Sequence, residues 1–157
     1  MKRNEQGYSL TEMMLVMTIV AALSAGGLYG WQRWQQQQRL WQTACQVRDF
    51  FEQLREDANW HNRDHKLWLK REGGSWCLGS EAAKEKICRA GAKGQIVPRW
   101  PEAEVTEITP GLGFYGQRNT AWPGHLLLRS PAGEWRIIIS VWGRIRLCPG
   151  GGSHSCQ

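Results

Sequence analysis

The chain opens on an apolar run and becomes amphipathic only later. No residue between positions 13 and 32 is charged, and from Met13 to Leu23 the single polar residue is Thr18. As a helix, residues 13–31 would measure about 28 Å, close to the thickness of a bilayer core. Lys2 and Arg3 precede the run, which favours a cytoplasmic N-terminus and an exported remainder. Trp31 and Trp34 stand where an aromatic interface anchor is expected. Beyond them Trp34, Trp41, Ala44, Val47, Phe51, Leu54 and Ala58 recur at steps of three, four or seven, the stripe of an amphipathic helix. Gln35, Arg39, Gln42, Gln46, Asp49, Gln53 and Glu56 fall on the other side. No proline occurs before Pro98 and no glycine between Gly30 and Gly73, so one helix is expected over 11–59, with 59–62 as its exit. The four glutamines 35–38 read as a solvated turn of that helix. Gly26, Gly27 and Gly30 read as sites of small-residue packing in the membrane.

From position 60 onward the period changes to that of strands. Residues 66–70 and 75–78 flank Gly73 and Gly74, a hairpin signal. Short strands are expected at 95–97 and 105–108, near Pro98, Pro101 and Pro110. Residues 125–129, 135–140 and 144–148 read as a three-strand meander, with a turn at 130–133. Loops are expected at 79–94 and 116–124, and a short tail at 149–157. The fold class that follows is α+β, a long N-terminal helix whose apolar stripe packs on a small antiparallel β-rich head.

Composition limits the function classes. A mean hydropathy of −0.51 excludes a polytopic membrane protein. Twenty basic against 14 acidic residues suit an anionic partner without naming one. Five cysteines in 157 residues suggest an oxidising compartment. Cys77, Cys88, Cys148 and Cys156 allow three connectivities. The pairs 77–88 and 148–156 are preferred because each closes a local loop beside a strand, worth roughly 3 kcal/mol apiece. Cys45 is left over on the helix, where it reads as a small buried hydrophobe.

Signals for catalysis are weak. His61 and His65 have the spacing of two ligands on one helical face, but they fall at the helix exit and read as solvated loop residues. Gly111, Gly113 and Gly116 match a dinucleotide-binding pattern without its strand and helix, and read as a β-turn cluster. Glu102 and Glu104 read as a solvated face. There is no Walker loop and no nucleophile elbow. Neither an enzymatic activity nor a cofactor or metal is expected.

The residues just ahead of the apolar run are more specific. Gly7, Tyr8, Ser9, Leu10, Thr11 and Glu12 place a carboxylate at the mouth of a membrane span, where burial is expensive unless the charge is paired. A secretory signal cut near 23–25 has no use for such a group. This hexapeptide resembles the class III signal of type IV pilins and type II secretion pseudopilins, departing from the usual pattern at Tyr8, Ser9 and Thr11. The resemblance implies cleavage by a prepilin peptidase after Gly7, methylation of the new N-terminus at Tyr8, and pairing of Glu12 with the Tyr8 amine of a neighbouring subunit. It divides the chain into a leader (1–7), a transmembrane helix (8–31), its amphipathic continuation (32–59) and a periplasmic head (60–157). The β-rich head is similar to that of minor pilins of the prepilin peptidase-dependent class. Partners implied are other minor and major pilins, the peptidase and the bacterial inner membrane. A minor pseudopilin of a type II secretion system is the alternative.

Gly143, Arg144, Ile145 and Arg146 resemble the Gly-Arg-x-Arg element with which some minor pilins contact DNA during uptake. Residues 110–157 carry five arginines against one acid, Glu134. On a strand Arg144 and Arg146 would share a face roughly 7 Å apart, the spacing of successive phosphates. Gly143 would let the turn approach a ligand closely.

Overall fold

The computed structural model describes residues 8–83, 86–151 and 156–157. One long helix, α1 (Leu10–His61), is followed by nine strands: β1 (His65–Glu72), β2 (Ser75–Ser80), β3 (Gln95–Ile96), β4 (Glu104–Ile108), β5 (Gly113–Tyr115), β6 (Thr120–Trp122), β7 (Gly124–Ser130), β8 (Gly133–Ile139) and β9 (Ile145–Pro149). This is the α+β, pilin-like arrangement. The chain divides into two compact units after Gln35.

In the first unit the helix has no internal core. Met13, Leu15, Met17, Ile19, Val20 and Leu23 all lie exposed around it. The hydroxyls of Thr18 and Ser24 donate back to the carbonyls of Leu15 and Val20, each at 2.7 Å, so neither needs water. Trp31 and Trp34 stack on each other at 5.1 Å.

In the head, Leu40, Thr43, Ala44, Val47, Phe50, Phe51, Leu54 and Ala58 form the buried face of α1. Two antiparallel sheets share that core, in the orders β3-β2-β1-β5-β6 and β4-β7-β8-β9. Phe51 meets Phe114 of the first sheet at 6.1 Å, and Trp41 meets Trp135 of the second at 4.6 Å. The sheets are cross-linked where Trp76 donates to the Ala103 carbonyl at 2.6 Å and Arg71 to that of Val105 at 2.7 Å. The expected stripe is corrected at one end. Trp34 is exposed, because head packing begins only at Leu40, and Leu40, Thr43 and Phe50 complete the stripe instead.

Helix α1 ends where Asn62 turns left-handed (φ 49°) and Arg63 donates to the Ala58 carbonyl at 3.2 Å. The Gly73–Gly74 pair closes the β1–β2 hairpin with both residues at positive φ. The meander β7-β8-β9 forms with Leu126, Ile137 and Leu147 in register across its buried face. Two segments read as turn and loop are strands. β5 pairs with β1 at His65 and Lys66, and β6 pairs with β5. Gly113 permits this because a side chain there would collide with the His65 carbonyl and the Lys66 backbone. The tail also returns to the sheet: Gln157 and Leu147 exchange two backbone hydrogen bonds of 2.8 Å.

Candidate functional site

The N-terminal signal is built at the start of α1. Gly7 and the rest of the leader lie outside the described residues. Tyr8 and Ser9 precede the first helical turn, and Tyr8 is exposed. The Ser9 carbonyl accepts from the amides of Glu12 (3.0 Å) and Met13 (3.2 Å), which places Ser9 at the helix cap. Glu12 therefore stands in the first turn, at the positive end of the helix dipole. Behind it the helix contains an 18-residue window of mean hydropathy 1.7, none of it buried within the chain. A Cβ built on Gly26, Gly27 or Gly30 meets nothing within 4 Å. Among the described residues nothing packs on those glycines. One apolar N-terminal helix of this kind fits a membrane anchor.

The arginine element sits at the start of β9. The strand begins at Ile145, and Arg144 lies one residue before it, opposite Ser140 at the base of the hairpin loop. The amide of Gly143 donates to the Ser140 carbonyl at 2.9 Å and that of Ser140 to the Arg144 carbonyl at 3.0 Å. With Gly143 at φ +70° this is a three-residue hairpin loop closed by a glycine bulge. Gly143 is buried, and its carbonyl accepts from Arg55 at 3.1 Å, so the turn geometry and the contact with α1 account for it. Arg144 and Arg146 are exposed, and among the described residues neither is ion-paired. The cation that shares the outer strand face with Arg146 is Arg136. Ile138 pairs with Arg146 and Arg136 with Cys148, while Ile137 and Leu147 between them face the core. Arg129 is neutralised by Glu134.

The sulfurs of Cys77 and Cys88 are bonded, with Cα atoms 5.8 Å apart, and those of Cys148 and Cys156 are bonded at a Cα separation of 4.3 Å. Cys45 is free and half-buried against the core. Burial pushes its thiol up, only partly opposed by Arg48, which disfavours the reactive thiolate.

One constellation escaped the sequence. His65 is buried, not solvated, because β1 begins at it and carries it under α1. Its Nε2 lies 2.7 Å from Asp57 Oδ2 and its Nδ1 2.7 Å from Ser80 Oγ. Asp57 also binds Arg63 (3.0 Å) and His61 (2.9 Å) through Oδ1. Facing a carboxylate, Nε2–H donates to Asp57, while Nδ1 and the Ser80 hydroxyl share the other hydrogen bond; the Ala82 amide donates to Ser80 Oγ at 3.2 Å. Carboxylate, imidazole and hydroxyl in a row resemble a hydrolytic triad, but Ser80 is fully buried. The amides of Ser80, Glu81 and Ala83 donate to the carbonyls of Gly94, Lys66 and Ser80, and that of Ala82 to Ser80 Oγ, so none of these four is free to act as an oxyanion donor. The arrangement ties the end of α1 to the β1–β2 hairpin. No sequence pattern signals it, since the three residues are separated by 8 and 15 positions.

No curated protein and no solved structure matches the chain. The match that exists covers the signal itself, with its span across the expected cleavage point, Glu12 and most of the apolar helix. Residues 2–28 match the prokaryotic N-terminal methylation motif, and the chain thus carries the signature of the type IV pilins and pseudopilins, which a prepilin peptidase processes.

Proposed function

We propose that this protein is a minor pilin, cleaved between Gly7 and Tyr8, held in the bacterial inner membrane with its head in the periplasm, and used to initiate or cap a type IV pilus. The observation that carries the reading is the methylation motif over residues 2–28 on a helix whose N-terminal apolar window has no partner among the described residues. Such a helix is stable only in lipid or among like helices, which are the two places a pilin occupies before and after assembly. The small β-rich head favours a minor subunit. Deletion of the gene should abolish surface pili, and low expression in trans should restore them with the protein substoichiometric in sheared fibres. Normal piliation with a block in protein export would favour a minor pseudopilin of a type II secretion system.

A second role is supported by the unpaired, exposed Arg144 and Arg146: contact between the head and the phosphates of DNA. Arg136, on the face of Arg146, adds a third cation. Binding should be weak, indifferent to sequence and steeply salt-dependent. Arg144→Gln with Arg146→Gln should lower the salt-dependence slope by about two, while the thermal midpoint stays in place. An unchanged titration in that variant would remove these residues from the contact.

A further inference from the structure

Three exposed indoles lie on segments that meet beside the hairpin loop preceding Arg144. Trp142 is 77% exposed, Trp60 85% and Trp122 52%, with Val141 at 51% beside them. Three contacts bring their segments together within the head. The Ala121 amide donates to the Val141 carbonyl at 2.9 Å. Asn59 Nδ2 donates to Asn119 Oδ1 at 2.8 Å. Arg55 donates to the Gly143 carbonyl. Each of the three tryptophans is adjacent in sequence to a residue in one of these contacts. The loop under Trp142 is fixed by its hairpin hydrogen bonds and by the Arg144 amide, which donates to Ser140 Oγ at 3.1 Å. The indole is therefore displayed on a rigid support, so little ordering is needed when a ligand docks. Of the acids near the helix exit, Glu56 is exposed and has no ion pair among the described residues. Asp57 is held by His61, Arg63 and His65, and Asp64 accepts from the Gly116 amide at 3.2 Å.

Flat apolar rings beside unneutralised guanidiniums call for a ligand with both planar faces and anions. An apolar protein surface would leave Arg144 and Arg146 facing it unpaired. Duplex DNA would satisfy the arginines, but its base faces are already stacked on one another. A single strand offers both, and stacking on an indole tolerates any base. We propose that this end of the head binds single-stranded nucleic acid, with unstacked bases on Trp142 and Trp122 and phosphates at Arg144 and Arg146. The proposal rests on the DNA reading above and narrows it from duplex to single strand.

The test uses the full-length processed protein in zwitterionic detergent and fluorescence anisotropy at low salt. The probes are oligothymidylate, a duplex of equal length and an abasic deoxyribose-phosphate oligomer of equal length. Oligothymidylate should bind about tenfold more tightly than either of the others. Trp142→Ala should bring it down to the duplex level, and Trp142→Phe should keep most of the preference. Since the side chain is largely in water, the thermal midpoint of both variants should match the parent. Equal binding of all three probes would overturn the stacking and leave the DNA reading standing. Binding of none would overturn both. A Trp142→Ala variant that keeps the preference, or that loses only co-purifying pilins, would also overturn the proposal.

Discussion

Glu12→Ala is expected to be cleaved and methylated like the parent, yet to lose its neighbours. The proposed cleavage point lies beside Gly7, five residues away, so processing should not need the carboxylate. Assembly should. Glu12 stands in the first turn of a helix with no charge in its next 20 residues, and Tyr8 becomes a free amine when the leader leaves. In a bundle of such helices an unpaired carboxylate is costly, and its closest compensating charge is the amine of an adjacent subunit. On the proposed reading that pairing would offset the cost and set the axial register. Without it, recovery of partner pilins after mild detergent extraction should fall about tenfold or more, at normal leader removal. Full recovery would take Glu12 out of the assembly step.

His65→Ala should be the most damaging single change at the clamp between α1 and the first sheet. It strands Asp57 Oδ2 and Ser80 Oγ, two groups whose hydrogen bonds to His65 are each 2.7 Å. Leaving such groups unsatisfied costs about 3 kcal/mol, a fall of about 10 °C in the thermal midpoint for a head of this size. His65→Gln can keep one of the two bonds and should lose less. The clamp also has a pH signature. Partial burial raises the Asp57 pKa, but the bond from His65 and the charge of Arg63 outweigh it and hold the carboxyl below its ordinary 3.8. A carboxylate depressed in the folded state adds stability that is complete above its unfolded pKa and disappears as the pH falls through the folded one. The midpoint of the parent should therefore drop below about pH 4, and the gap between parent and His65→Ala should narrow there. A gap independent of pH would contradict this network.

What the sequence made legible was whatever depends on local period and punctuation. The helix was readable because its stripe repeats without glycine or proline through Ala58, and the β1–β2 hairpin because Gly73 and Gly74 supply the two positive φ values. The meander followed from alternating runs around Pro131 and Gly133. Elements fixed by tertiary partners were not readable. β5 is three residues inside a glycine-rich stretch, and only its pairing to the start of β1 makes it a strand. His65 was read as solvated because it falls just past the helix exit, whereas β1 begins at it and buries it. Arg144 lies one residue before β9, at the base of a hairpin loop whose left-handed Gly143 is a detail of turn geometry. Trp142 and Trp122 became a feature only when the 121–141 contact brought their segments together.

The first residue of the mature protein tests the pilin reading most directly. Intact-mass and N-terminal fragment spectra of the protein co-expressed with a prepilin peptidase should show a chain that begins at Tyr8 and carries one N-methyl group. Gly7→Leu in the same cells should keep its leader and begin at Met1. A parent chain that begins near Gly26 would instead identify a secretory signal, and one that still begins at Met1 beside an active peptidase would identify a plain anchor. Either result would contradict the pilin reading.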